Sequence, residues 1–390
     1  MDPTITTLVF YGVIWIGIYL AGKALRIERL GFVLSPVYFM YKTTALNDWI
    51  GSLAERNPRL WRALGNAGIA VGVGLMAFAL YTLALNLYHL IFRVEAATSI
   101  EPVIPLPGLT ISWESFPYVV LAISLVLATH ELAHGVATRV DKVRLKSAGL
   151  FVAVVLFGGF VEPDEEELEK ASSETKLRVY AAGSFTNAII GVMILLLFAN
   201  FAATIAPFYN TNYVGVQVGG WIPGYPAEQA GMQAGDVITA INGVPVHTTA
   251  ELQGAMAGVP PGAEVSVSTL RSNLEIKMKP DPNNASRGIM GVSPIRDFIT
   301  YTGKFPLLPN DLPYYLMRIE FWTSVVFVSV GIINMLPLYA FDGDRFLETL
   351  LKAMGVGRTK QIRWTATAVS LAILGLNFVL SIVRFGFIKL

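Results

Sequence analysis

The chain has 390 residues, of which 54% are hydrophobic and only 15% charged, and its mean hydropathy is +0.55. An ordinary soluble protein carries about 25% charged residues, so the composition describes a multi-pass membrane protein with one soluble module. The formal charge of +1 argues against a broad nucleic-acid-binding surface, and the lack of cysteine excludes disulfides, thiolate metal sites and thiol nucleophiles.

A helical span needs about 20 mostly apolar residues. Stretches at about 5–24, 68–92, 116–138, 178–206, 316–340 and 363–385 qualify. The first follows acidic Asp2 and lacks a basic leader and a small-residue cleavage site, so it reads as a retained span and not a removed signal peptide. Residues 31–41 are interrupted by Pro36 and read as interfacial or re-entrant. Residues 148–161 are too short for a span, rich in β-branched side chains and carry Gly158-Gly159. They read as a β-hairpin or re-entrant loop at the membrane edge, with an interfacial helix as the alternative. The acidic run 162–167 that follows reads as solvated surface or the charged first turn of a helix.

Residues 207–315 differ in kind. They are polar and punctuated by Gly and Pro, and segments such as Val265-Ser266-Val267-Ser268 alternate with period two. The expected fold class is therefore a polytopic α-helical membrane protein of about six transmembrane helices, with an inserted soluble α+β domain and a membrane-edge β-hairpin. Its regions are 1–115 with two spans, 116–206, the inserted 207–315, and 316–390.

Basic residues set the orientation. Lys23, Arg26, Arg29, Lys42, Arg56, Arg59 and Arg62 crowd the first long loop, and Arg139, Lys142, Arg144, Lys146, Lys176 and Arg178 flank the third and fourth spans. Lys352, Arg358, Lys360 and Arg363 lie between the last two. The positive-inside rule makes these loops cytoplasmic and the inserted domain extracytoplasmic.

The third span contains His130-Glu131-Leu132-Ala133-His134. Positions i and i+4 share a helix face, so both imidazoles can reach one metal ion. Glu131 lies beside them as a base toward a water activated there. His130 lies about 21 Å into the span at 1.5 Å per residue, inside the membrane and toward its cytoplasmic face. Ionisable groups are costly there, which argues against a pair of packing histidines. A metal hydrolase motif at that depth points to a protease that cuts within the bilayer. Zinc takes a third protein ligand and keeps an open position for water. The fifth span ends Asn334-Met335-Leu336-Pro337, and Asp342 follows at a similar depth. Asp342 is the candidate ligand. Its alternative role is an N-cap, which Asp344 can also fill.

His130-Glu131-x-x-His134 followed two spans later by Asn334-x-x-Pro337-x-x-x-x-Asp342-Gly343 resembles the site-2 protease family of intramembrane metalloproteases. The resemblance covers about 116–345, with Phe341 standing where the family often has Leu. Residues 226–238 (PAEQAGMQAGDVI) and Ile241-Asn242-Gly243 resemble a PDZ module, whose core Val237, Ile238 and Ile241 would fill. The resemblance implies that His130, His134 and Asp342 bind Zn2+ and that Glu131 is catalytic, deprotonating the water and passing the proton to the leaving amine. Asn334 would lie near the scissile carbonyl or the substrate strand, or else make an interhelical hydrogen bond. Asn187, among small residues that let helices approach closely, is open to the same two readings and is not read as catalytic. Implied partners are single-span membrane-protein substrates in the bilayer, with the PDZ-like domain contacting substrate peptide ends, filtering substrates by size or serving as a spacer. No nucleic acid is implied. The competing readings are a metal-ion transporter using the same residues, an inactive membrane PDZ adaptor, and a peptidase for soluble substrates. Glu131 is superfluous for transport, and no repeated halves are visible.

Overall fold

The computed structural model describes residues 3–100, 110–153, 156–282, 284–293 and 295–386. Asp2, part of the loop before the third span, and Val154 and Val155 at the tip of the expected hairpin lie outside the described residues. Two compact units divide the chain, Met1–Ala199 with Arg318–Leu390 and Asn200–Met317. The first unit begins with α1 (Pro3–Ala24), β1 (Phe32–Leu34), β2 (Phe39–Thr43), α2 (Ala45–Arg56), α3 (Pro58–Phe92), α4 (Phe116–Val140), β3 (Leu145–Ala153), β4 (Leu156–Pro163), α5 (Glu165–Lys170) and α6 (Ser173–Ala199). There follow α7 (Phe201–Ile205), β5 (Tyr209–Val218), α8 (Pro226–Gln229), β6 (Val237–Ile241), β7 (Val244–Pro245), α9 (Thr249–Met256), β8 (Glu264–Thr269), β9 (Asn273–Lys277), β10 (Lys279–Asp281), β11 (Asn284–Ile289) and β12 (Ile295–Gly303). Then come α10 (Leu312–Ile333), α11 (Asp342–Ala353) and α12 (Thr359–Phe385).

Among the described residues, α3, α4, α6, α10 and α12 are long and apolar enough to cross a membrane, and the apolar part of α1, Val9–Ala24, is shorter. The chain is a polytopic α-helical membrane protein. Close helix packing rests on small residues. Along α3, Gly65 faces Arg178, Gly68 faces Phe185, and Gly72 faces Met335 and Phe346, each leaving little room for a Cβ.

Two expected spans are interrupted. The stretch 316–340 is not one helix: α10 stops at Ile333, residues 334–341 turn irregularly, and α11 begins at Asp342. Pro337 has no N–H to continue the ladder, and Ala340 takes a left-handed φ of 73°. The stretch 178–206 breaks at Asn200, between α6 and α7.

The segment 31–41, expected to be interfacial or re-entrant, forms β1 and the start of β2 around a Ser35-Pro36 turn closed by Ser35 N–H donating to Tyr38 O at 2.9 Å. Its partner explains why. Residue Phe39 pairs with Val152 and Thr43 with Ala148, so β2 completes a sheet of order β1-β2-β3-β4. Residues 148–161 form the expected antiparallel hairpin, with Ala148 opposite Val161 and Gly149 opposite Phe160. A Cβ at Gly149 would overlap the Tyr41 carbonyl, so glycine there admits β2. Because β2 covers one edge of the hairpin, its free edge is β4.

The second unit is the PDZ-like α+β domain. Its main sheet runs β12-β5-β6-β8-β9, with β7 on β6 and a separate β10-β11 ribbon. Val216, Ile238, Val267 and Ile276 are buried in its core, as are Val237 and Ile241. Asn242 and Gly243, at φ 49° and 73°, make the tight turn between β6 and β7. Outside the core, Arg271 grips Asp236 with Nε and Nη2 at 2.9 and 2.8 Å. These hydrogen bonds hold the Asp236 carboxyl below the ordinary carboxylate range.

Candidate metal centre

The site is assembled from α4, α6, α11 and the 334–341 turn. One helical turn separates His130 from His134, and their Nε2 atoms stand 3.1 Å apart. Asp342 Oδ2 lies 3.0 Å from His130 Nε2 and 3.2 Å from His134 Nε2. These residues are the one group of at least three candidate metal-ligating side chains found among the described residues. Three ligands about 2.0 Å from a tetrahedral ion stand roughly 3.3 Å apart, so the triangle is sized for zinc.

Hydrogen bonding fixes which atoms face the triangle. A backbone carbonyl only accepts, so the 2.7 Å contact between His134 Nδ1 and Val179 O places the proton on Nδ1 and a lone pair on Nε2. His130 Nδ1 lies 2.9 Å from the side-chain amide of Asn187. With Nδ2 turned toward the ring, Asn187 Oδ1 is buried without a partner. Amide oxygen and nitrogen are interchangeable in shape. Turning the amide gives that oxygen the His130 Nδ1–H and frees the second Nε2 lone pair. Three acceptor atoms then converge with no proton of their own among them. A cation resolves their mutual repulsion, and a His2Asp donor set suits zinc.

The elements around the triangle are built for this approach. A Cβ on Gly183 would overlap the His130 ring, so glycine lets α6 lie against it. His130 itself is buried. On the other side, Gly343 N–H donates to Asn334 O at 2.9 Å, which folds the 334–341 turn back and brings Asp342 inward. Neither Asp342 nor Asp344 caps α11 through its side chain: Asp342 turns to the histidines, and Asp344 to Arg363 at 2.6 Å. Both acidic groups sit in the first turn of α11, where the helix dipole favours negative charge. Asn334 Nδ2 lies 3.1 Å from His130 Nε2, on the face of the triangle.

A cavity of about 510 Å³ reaches the triangle and is lined in part by Glu131, His134 and Asp342. Glu131 Oε2 accepts from Val161 N–H of β4 at 3.1 Å. The cavity wall carries Glu162, whose carboxyl is held below the usual carboxylate range by Ser147 and Lys42, at 2.6 and 3.0 Å. The acidic run beyond it opens α5, with Asp164 Oδ1 accepting from Glu166 and Glu167 N–H. Histidine 247 lies apart on the surface of the PDZ-like domain beside Glu251. Asn187 makes the interhelical hydrogen bond that is one of its two expected roles; that its partner is His130 depends on α6 meeting α4, a contact no local pattern encodes.

The sequence profile of Peptidase family M50 matches residues 118–377, more than half of the chain. The "Uncharacterized protein MJ0971" of Methanocaldococcus jannaschii is 25% identical over 349 residues, covering 88% of this chain and 84% of its own length. The "Membrane-bound transcription factor site-2 protease homolog" of Arabidopsis thaliana is 23% identical over 225 residues, 57% of this chain and 43% of that protein. The "Zinc metalloprotease RasP" of Shouchella clausii is 26% identical over 165 residues, 31% of this chain and 39% of its own. The matches to the last two span less than half of those proteins.

Proposed function

The chain belongs to Peptidase family M50, the site-2 protease family, and from that premise we propose that it is an intramembrane zinc endopeptidase cutting single-span membrane proteins within or beside their transmembrane segments. The observation that carries this reading is the convergence of two imidazole Nε2 atoms and one carboxylate oxygen within 3.2 Å of one another, beside a glutamate that lines the same cavity.

His130, His134 and Asp342 would hold zinc, which when bound supplies the Lewis acidity that activates water and polarises a peptide carbonyl. Glu131 takes the proton from that water and returns it to the departing amine. Asn334 donates its amide N–H to the carbonyl oxygen as charge builds there. A helical substrate hides its carbonyls in its own ladder, so it must unwind first. The unwound segment needs backbone partners in an apolar setting, and β4 is the terminal strand of its sheet. Strand addition along β4 would pass the scissile bond across Glu131, whose carboxylate already engages Val161 N–H on that strand. By the positive-inside rule water enters from the cytoplasmic side and the PDZ-like domain lies outside, against substrate peptide ends.

The test is cleavage of a panel of single-span substrates in liposomes, comparing wild type with Glu131→Gln and reading fragments by mass spectrometry. The reading expects cuts within or beside the span that vanish in the variant and favour spans with Gly or Pro near the cut. Cleavage that persists in Glu131→Gln overturns the catalytic assignment. Equal cleavage of rigid poly-Leu spans overturns the unwinding step.

A further inference from the structure

Asp342 can complete the metal triangle only if the first turn of α11 is held in place; the Gly343–Asn334 backbone bond fixes where that turn starts, and a second restraint is needed to fix its rotation. Residues 334–341 carry no regular structure and include Pro337 and the left-handed Ala340. That second restraint comes from another helix. Arg363, near the start of α12, reaches Asp344 with both prongs of its guanidinium, Nε to Oδ1 at 2.6 Å and Nη2 to Oδ2 at 2.5 Å. Its third nitrogen meets Glu348 Oε2 at 2.7 Å, one turn along α11. One helical turn further on α12, Thr367 donates to the Pro337 carbonyl at 3.0 Å, tying down the irregular segment itself. Asp344 is only 2% exposed.

A buried ion pair is a weak source of stability, because desolvating both charges offsets much of their attraction. A planar fork closing on a carboxylate does fix orientation. Asp344 lies two residues beyond Asp342 on the same first turn. We propose that Arg363 is a positioning residue: its bidentate hold on Asp344 sets the rotation of the first turn of α11, and with it the direction in which Asp342 presents its carboxylate to His130 and His134. The last membrane helix would thereby take part in building the metal centre without touching it. This rests on the reading of Asp342 as a ligand.

The test uses the full-length protein in detergent. Zinc affinity is measured by chelator competition, and the ligand field by the visible spectrum of the cobalt-loaded protein. Arg363→Gln should weaken zinc binding severalfold, less than the about 10- to 100-fold cost of losing a direct hydrogen-bond partner of a ligand, and alter the cobalt bands. Arg363→Lys keeps the charge but loses the fork. It should show the same direction of change to a smaller degree, and it carries the test if the glutamine variant does not fold. Asn377→Leu is the structural control. It breaks a buried contact further along α12, where Asn377 Oδ1 accepts from Asn86 at 2.9 Å and its Nδ2 donates to Leu83 O at 3.0 Å. It should lower thermal stability while leaving zinc affinity and the cobalt spectrum unchanged. Wild-type affinity and spectrum in both Arg363 variants would overturn the proposal. So would a loss of zinc affinity in Asn377→Leu equal to that in Arg363→Gln, which would make the effect one of general helix docking. Asp342→Ala separates the underlying reading: if it binds zinc as wild type does, the ligand assignment fails whatever Arg363 does.

Discussion

The two units of this chain solve opposite problems with the same residue types. In the PDZ-like unit the hydrophobic core is closed by Val216, Val218 and Ile238, all fully buried, and the buried Asp236 is met by an Arg271 whose side chain stays exposed. In the membrane unit many large apolar side chains are exposed, among them Val192, Leu196, Leu371 and Val383, while His130, Asn187, Asp344 and Asn377 are buried. Water drives the first arrangement. Lipid tails are as apolar as leucine, so the second relies on close packing and interior polar contacts. The difference teaches where each unit is fragile: a methyl group in one, a single polar atom in the other.

The largest expected effect tests the polar side of this contrast. Glu131→Gln should reduce cleavage on the order of 10²- to 10⁴-fold, the usual contribution of a general base, with zinc retained. Rate constants together with metal content check this. Next comes the apolar side. Ile238→Ala deletes a fully buried side chain and should destabilise the PDZ-like unit by about 2–5 kcal/mol. Hydrogen exchange of the β6 and β8 amides in the full chain would read the loss, and zinc affinity should not change. A zinc change in that variant would break the contrast. Asn187→Leu should preserve packing volume but weaken zinc binding about 10- to 100-fold, as the partner of a ligating histidine, measured by chelator competition.

The smallest effect is a pH dependence confined to the PDZ-like unit. The folded-state pKa of Asp236 is depressed by Arg271 and by the Gln233 N–H. Its contribution to stability is therefore present above the unfolded value of 3.8 and is lost as pH falls through the lower folded value. Asp236→Asn should flatten that acid limb in exchange of the same amides. An unchanged limb would remove Asp236 from the account.

What could be read from sequence follows the range of the interactions involved. The apolar runs and His130-Glu131-x-x-His134 are local patterns, and a helix delivers both histidines to one face by its own geometry. The Asn242-Gly243 turn and the burial of Ile238 were legible for the same reason. The strand pairing of 31–41 is not legible, because an apolar run this short gains its sheet partner β3 only more than a hundred residues later. The break at Ile333 is half legible: Pro337 lacks the N–H that would continue a helix, but the backbone bond from Gly343 to Asn334 that aims Asp342 has no sequence signature. For Asn187 the sequence leaves two roles open, because an intramembrane amide looks the same whether it only packs or hydrogen-bonds a histidine of a neighbouring helix, as Asn187 does to His130.

Whether α4 and α11 bring three side chains to one metal ion is read most directly from zinc content. Full-length wild type, Asp342→Ala and Glu131→Gln would be dialysed against buffered zinc, with bound metal counted per chain by mass spectrometry. The account predicts one tightly held zinc in wild type and in Glu131→Gln, and a severalfold or greater loss of affinity in Asp342→Ala. A wild-type protein that takes up no zinc, or an Asp342→Ala variant that holds it as tightly, would contradict it.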